Sequence, residues 1–323
     1  MAGLGMLGYI GFARESSGGV PLAPSSGNYF QAISESLTEN YNFFEPVNIF
    51  GSIAEPDDQR GTIGVEGEIV APFHPVWGAH FLGMALGRAT SVTSINANLQ
   101  THIFRPPATS QWDSRFALQP YTIEIGRDAG SAQQYTGCLA RTISFETAPN
   151  QELRATLGII GIGGTNKAAT TPTYPGSPVE MFAFDQASLS LNGVANANIE
   201  SFSFTIDNNL EPVYTLRDNA YAWKIRRNNS VMANFSLSME FDSITELQRF
   251  RDQTEFPLRI AFTRAASFMV VFNIPRAVYR AFPLGTSGRG RNVIQVDGKA
   301  RYHAGSATSF QIELTTTVAS GAV

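Results

Sequence analysis

From Ile63 to Ala71, apolar or small residues (Ile63, Val65, Gly67, Ile69, Ala71) alternate with Glu66 and Glu68. That two-residue period is the mark of a half-buried strand. A helical stretch follows at once, from Pro75 to Leu86. Trp77, Phe81, Met84 and Ala85 fall there at i, i+4, i+7 and i+8, one stripe of an amphipathic helix, with Pro75 suited to its first turn. The same order returns downstream. Val231, Ala233, Phe235, Leu237, Met239 and Phe241 alternate with Asn234, Ser236, Ser238, Glu240 and Asp242. Ile244 to Gln253 then reads as a second helix. Ser243 and Glu246 form a capping-box pattern, and Ile244, Leu247 and Phe250 repeat at i, i+3, i+6. Upstream of each strand lies an echo, Glu45-Pro46-Val47 and Glu211-Pro212-Val213. The offset is 213 − 47 = 166 for the tripeptide and 239 − 69 = 170 for Ile69 against Met239. Two short matches in one order at nearly one offset predict a tandem duplication, and a repeat decides the architecture.

Thr165 to Pro178 is small, polar and proline-bearing, without apolar periodicity, and sits near the midpoint as a linker should. The division predicted is therefore a first domain over 1–165, a linker over 166–178 and a second domain over 179–323. Strands are expected at Tyr29–Thr38, Ile63–Ala71, Tyr121–Arg127, Ala140–Thr147 and Leu153–Ile162. The second half adds Ala187–Leu191, Ser201–Asp207, Val231–Phe241, Leu258–Thr263, Phe268–Ile274, Val293–His303 and Ser309–Val318. The fold class is thus mainly β, two tandem β-sandwich or half-barrel domains, each with a flanking α-helix burying one face on its own sheet. Two long polar segments, Asn48–Gly61 and Tyr214–Asn229, follow the two echoes, and compact domains normally use shorter connections. They read as extended hairpins that reach a neighbouring molecule. A third excursion, Arg88–Pro120, has no counterpart in the second half.

Composition narrows the field. At 323 residues the chain can hold two domains with sizeable cores, and only 15% of it is charged. Net charge is −4, which argues against a protein gripping nucleic acid through a basic surface. Residues 1–165 carry 8 Arg against 14 acids (−6), and residues 166–323 carry 15 Lys or Arg against 13 acids (+2). Opposite signs on the halves would favour head-to-tail association. No stretch approaches the roughly 18 apolar residues of a membrane span. The apolar N-terminus lacks a basic n-region and reads as mature protein. Cys138 is alone, so no internal disulfide forms, and it reads as a small buried hydrophobe.

Catalytic and ligand-binding patterns fail in turn. His74, His80, His102 and His303 show no metal spacing, since His74 and His80, six apart, fall on different faces of a helix. The glycine-rich Gly285–Arg291 lacks the Lys-Ser/Thr ending of a P-loop, and Gly158–Gly164 opens no helix as a dinucleotide fingerprint must. Glu66 and Glu68 imitate a carboxylate pair but have no nucleophile or base nearby. The sequons at Asn228 and Asn234 carry no meaning without a secretory context. No enzyme, cofactor or metal is expected.

GYIGFARESSGGVPLAPS at Gly8–Ser25, FQAISESLTE at Phe30–Glu39, the EPV segment, the alternating strand leading to a helix, and YTIEIGRD at Tyr121–Asp128 together resemble long-tailed bacteriophage tail tube proteins. The match is to the larger type, in which one chain carries two tube domains. It covers most of residues 1–165 and extends to the second half through the repeat; Arg88–Pro120 is long for the pattern. The resemblance implies sheets joined edge to edge into a continuous inner barrel, which removes exposed edges. Six domains complete such a ring, so a two-domain chain implies a homotrimer, with rings stacked head to tail into a tube. It also implies a virion component assembled in the host cytoplasm, with tail tip, terminator and tape measure as partners and double-stranded DNA passing through without specific binding. Candidate lumen residues are Glu66, Glu68, Glu240 and Asp242. Candidate ring-to-ring residues are Asp57, Asp58 and Arg60 in one loop and Arg217, Asp218, Trp223, Arg226 and Arg227 in the other.

Other readings compete. A distal-tail or tail-terminator protein would form single rings. A two-domain carbohydrate-binding β-sandwich would need an exposed aromatic platform, for which Trp112, Trp223 and Tyr221 are the loop candidates.

Overall fold

A computed structural model describes residues 5–25, 27–47, 57–87, 89–96, 98–106, 118–128, 130–174, 181–242, 244–264, 268–285 and 291–319. The first half holds β1 (Tyr9–Arg14), β2 (Tyr29–Phe30), β3 (Ser34–Glu35), β4 (Thr38–Phe44), β5 (Gln59–Pro72), α1 (Pro75–Leu86), β6 (Ser91–Asn96), β7 (Leu99–Phe104), β8 (Tyr121–Gly126), β9 (Ser131–Thr147), β10 (Arg154–Gly161) and β11 (Gly163–Ala168). The second holds β12 (Ala187–Leu191), β13 (Val194–Ala195), β14 (Ile199–Asp207), β15 (Leu210–Val213), β16 (Lys224–Arg227), β17 (Met232–Glu240), α2 (Thr245–Arg251), β18 (Phe256–Arg264), β19 (Phe268–Ala281), β20 (Val293–Ala300) and β21 (Gln311–Thr316). The protein is mainly β, and all its named ladders are antiparallel.

One pairing scheme occurs twice. β1–β8–β9, β9–β10–β5–β4 and β9–β11 in the first half match β12–β18–β19, β19–β20–β17–β14 and β19–β21 in the second. Irregularities repeat too. The register slips between Tyr121↔Cys138 and Ile123↔Tyr135, and again between Phe256↔Ala277 and Leu258↔Ile274. A second slip skips Arg141 opposite Gly158/Ile159, and its equivalent skips Arg280 opposite Asp297/Gly298. Such bulges bend a strand and raise its twist. β9 and β19 therefore each bend at these points. Gly137, at φ +62°, takes up the left-handed backbone beside the first slip, and Ile162 packs where its Cβ would stand.

These landmarks refine the repeat. Cys138 and Ala277 are 277 − 138 = 139 apart, as are Leu157 and Val296 (296 − 157 = 139), which face Ile69 and Leu237 respectively. The structural counterpart of Ile69 is thus Leu237, two residues from Met239 on the same buried face.

The halves form one body. β9 continues into β14, from Thr147↔Phe202 to Thr142↔Asp207, and β7 pairs with β21 around Phe104↔Ile312. Arg88–Pro120 is therefore not a plain loop: its β6–β7 hairpin clasps the other half. Phe145, Phe202, Phe204, Phe262 and Phe272 meet at this seam in a single hydrophobic cluster that spans both halves.

α1 departs from the one-sided stripe. His74 caps it, its Nδ1 accepting the Val76 N–H at 3.0 Å, with Pro75 in the first turn as expected. Every helix residue except Val76 is buried, because α1 packs on β9 and β7 and also on β19 and β21 of the second half. α2 buries only Leu247. Ile244 is its N-cap, without a side-chain bond. Glu246 bonds Arg249 Nη1 (2.6 Å) and accepts the Tyr279 hydroxyl (2.9 Å), and Ser243 lies outside the described residues. β11 extends to Ala168 against β9, into the first residues of the expected linker.

Candidate functional site

Six neighbouring strands, β5–β10–β9–β14–β17–β20, bury one face and leave the other open. Strand register arranges the open face in rows across the chain. One row reads Val70, Thr156, Ser144, Thr205, Asn234, Lys299. The next reads Pro72, Arg154, Glu146, Ser203, Ser236, Asp297, and a third reads Glu68, Gly158, Thr142, Asp207, Met232. Hydroxyls and amides fill the middle, and charges lie mostly toward the margins. Such a face is hydrated without presenting a phosphate-gripping row of cations.

Glu66 and Glu68 lie on this face, both exposed, and Glu66 stands 3.7 Å from Arg141. Glu240 lies on it as well but far away. It is eight residues along β17 from Met232, the residue in the row of Glu68, hence about 25 Å along the strands. Arg291 bridges Glu240 (3.6 Å) and Glu200 (2.7 Å), and Asp242 accepts from Asn198 Nδ2 beyond the end of β17. The four carboxylates occupy opposite corners of the sheet and form no cluster.

The two long polar segments come together. β4 and β5 make one hairpin, with Phe44 opposite Gln59, and β15 and β16 make a separate two-stranded one. The tip of the second folds onto the first. Ile63 N–H donates to Ala220 O at 2.9 Å, Tyr214 OH donates to Ile63 O at 3.3 Å, and Tyr221 OH bonds Glu39. Burial and the Glu39 charge both push the Tyr221 phenol far above its ordinary range. Around this junction Tyr41, Phe43, Phe44, Val47, Leu216 and Trp223 remain exposed.

The sequence model of the family described as phage tail tube protein matches residues 5–301. The chain belongs to the phage tail tube protein family. No curated protein matches it. A tail tube protein is a structural component of the virion tail, and it works by assembly with copies and with other tail proteins.

In this tail tube protein the ring-to-ring candidates divide. Asp57 and Asp58 are exposed at the foot of β5, and the Arg60 guanidinium lies 4.4 Å from the Tyr41 ring centre. Asp218 and Arg226 are exposed. Arg217 instead pins its own tip through Tyr221 O (3.0 Å) and Ala222 O (2.8 Å). Arg227 binds Asn208 through its carbonyl and side-chain oxygens (both 3.1 Å), and burial holds its guanidinium below the usual value. Those two are bonded within the chain. Residues 48–56 and Trp112 lie outside the described residues. Of the loop aromatics, Trp223 has Lys224 Nζ 3.6 Å over its ring, and Tyr221 turns to Glu39.

The histidines have structural partners. His74 caps α1, His102 Nε2 donates to Val318 O at 2.9 Å, and His303 bonds Ser306. His80 is buried 4.7 Å from the Phe12 ring centre, and burial pushes its pKa down to about 4. Cys138 is fully buried, which drives its thiol far up from the usual range. Among the described residues no group of three or more His, Cys, Asp or Glu could hold a metal ion, and no helix is long and apolar enough to cross a membrane.

Sequence reasoning missed Glu15. Buried at 2% exposure, it receives Thr122 Oγ1 (2.8 Å), Gly137 N–H (2.8 Å) and Gly19 N–H (2.7 Å), fixing the slip in β9. No local pattern distinguishes such a carboxylate from a surface one. Arg141 was missed too. Its Nε donates to Leu210 O at 3.2 Å across the seam.

Proposed function

We propose that three copies of this chain close into a ring of pseudo-sixfold symmetry, and that stacked rings form the tube through which double-stranded DNA leaves the particle. The observation that carries this reading is the pairing scheme present twice in one sheet, with an open, hydroxyl-rich face continuous across both halves. It supports a duplicated tube domain, the first ending near residue 168 and the second beginning beyond the linker. The polar face then lines the lumen. Glu66, Glu68, Glu146, Asp207, Glu240 and Asp297 set its charge against Arg141, Arg154 and Lys299, a modest negative excess that repels phosphates rather than binding them. The apolar junction of Phe43, Phe44, Val47, Leu216 and Trp223 serves ring-to-ring contact, with Asp57, Asp58, Arg60, Asp218 and Arg226 at its rim. Tail tip, terminator and tape measure proteins meet the tube during assembly in the host cytoplasm.

Electron microscopy of the concentrated protein, with averaged end views, tests this. Hollow tubes of threefold symmetry are expected. Isolated rings would favour a terminator or distal-tail role. Monomers that persist when tail-tip components are added would overturn the tube reading.

A further inference from the structure

The seam between the halves is a template for the contact between copies, an inference that rests on the ring reading above. Each strand of that seam has an equivalent in the other half. β19 is the equivalent of β9, because both slips recur at a separation of 139, Cys138 to Ala277 and Arg141 to Arg280 (280 − 141 = 139). β4 is the equivalent of β14. Thr38 faces Glu66, Thr205 faces Asn234, and Glu66 and Asn234 are equivalent (234 − 66 = 168), so Thr38 matches Thr205 (205 − 38 = 167). β9 and β14 are paired with each other. No described strand pairs with the outer side of β4 or with the chain just beyond β19.

We propose that β4 of one copy pairs antiparallel with the end of β19 of the next, in the register that β14 keeps with β9. Asp207↔Thr142 then becomes Asn40↔Ala281, Thr205↔Ser144 becomes Thr38↔Pro283, and Phe204↔Phe145 becomes Leu37↔Leu284.

Backbone parity agrees from both sides. Asn208 N–H donates to Arg141 O at 2.8 Å, which makes that pair hydrogen-bonded. Alternation then makes Ile206↔Ile143 and Phe204↔Phe145 hydrogen-bonded, and Asp207↔Thr142 and Thr205↔Ser144 not. Transferred, the rule requires Leu37 and Glu39 to turn outward and Thr38 and Asn40 inward. Ser36 N–H donates to Glu68 O at 2.9 Å, so even-numbered residues here spend their backbone on β5, as required. Pro283, which has no N–H, falls on a position that directs none toward β4 of the neighbour. In the single chain, Leu37 O accepts from Tyr135 OH and Arg127 Nη2, each at 3.0 Å, side-chain donors that cap an open edge.

Burial agrees as well. Leu284 is 49% exposed, whereas its counterpart Phe145 is fully buried at the seam. α1 is covered by the following half, and α2 buries only Leu247 fully, with Ile244 60% exposed. The next copy would cover α2 as the second half covers α1.

Asn40→Cys with Ala281→Cys places two thiols on a non-hydrogen-bonded pair, where Cα atoms lie about 4.5 Å apart, within disulfide reach. In oxidised tubes, more than half of the chains should run as covalent trimers on non-reducing gels. Thr38→Cys with Ala281→Cys, shifted by two residues, should cross-link at least tenfold less. Tubes with the reverse preference would overturn the register and leave the tube reading intact. If the cysteine variants do not assemble, hydrogen exchange on the wild type decides: the amides of Leu37, Glu39, Phe282 and Leu284 should gain protection on assembly. Unchanged exchange there overturns the proposal. A wild-type chain that never assembles removes the tube reading itself.

Discussion

Truncating Phe272 should destabilise both halves of the chain together. Its ring is 1% exposed and lies 4.9 Å from Phe145, 5.7 Å from Phe202, 5.9 Å from Phe204 and 6.4 Å from Phe262. Those partners come from both sides of the seam. Phe→Ala in a core costs about 3–5 kcal/mol, the larger values where neighbours cannot collapse into the cavity. Here collapse is resisted, because Phe145, Phe202 and Phe204 are held by the β9–β14 ladder and Phe262 by the β18–β19 ladder. The edge-on contacts add about 0.5–1.5 kcal/mol each beyond area. We therefore expect Phe272→Ala to cost about 4–5 kcal/mol. With a urea slope of about 2 kcal/mol per molar, the midpoint should fall by about 2 M. The assay is urea unfolding below the concentration of assembly, followed by far-ultraviolet circular dichroism and by Trp77 fluorescence with Trp112→Phe and Trp223→Phe in the background. Trp77 is buried in α1 of the first half, and Phe272 belongs to the second. Both signals should shift equally. A Trp77 transition that stays in place while the other moves would refute the shared core, as would a total loss below about 1 kcal/mol.

Other perturbations follow from single contacts. Glu15→Ala removes the acceptor of two backbone N–H groups and a hydroxyl, and should cost about 3 kcal/mol in the same titration; Glu15→Gln should recover part of it. Glu124 has no side-chain exposure. Burial raises its pKa, but hydrogen bonds from Lys167, Thr170 and Tyr9 outweigh that and hold the carboxyl below its usual value. Lys167→Met should therefore cost about 3–5 kcal/mol by leaving a buried charge unpaired, and adding Glu124→Gln should restore most of it. Because the folded-state pKa of His80 lies near 4, below its unfolded value of 6.5, the unfolded chain binds more protons between those limits. Stability is fully present above pH 6.5 and declines as pH falls toward 4, by about 3 kcal/mol in all. His80→Phe should flatten that part of a melting-temperature profile; an unchanged slope would exclude His80 as its cause.

What the chain discloses locally depends on whether one face of an element meets water. β5, β17 and β20 alternate because each is half-buried, and α1 keeps its bounds because His74-Pro75 and Gly87 mark its ends. β1 is buried almost throughout, and β6 is exposed almost throughout, so neither shows a period of two. β11 reads as linker because its sequence is glycine and polar, and its place is fixed only by β9. In β9 the slips near Gly137 and Arg141 interrupt the alternation, which left only the C-terminal part legible. Glu66 and Glu68 were placed on the open face by period alone. Their distance from Glu240 was not, since strand register across a sheet is a long-range property. Arg217 and Arg227 read as ring-to-ring candidates from their loop, whereas the carbonyls they bond within the chain are hidden from sequence inspection.

The pairing of β9 with β14 inside one chain sets the timing of assembly. The β9–β14 contact lies within one chain, so its formation has no molecularity to overcome, and its effective concentration is fixed by the connection between the halves. In a ring of three such chains, half of the strand seams exist as soon as a chain has folded, and only the other half wait on collision. Ring formation then follows a lower power of subunit concentration than it would for single-domain subunits. In the proposed ring each chain then has two edges, the outer side of β4 and the end of β19, that must stay quiet until neighbouring copies present their mates.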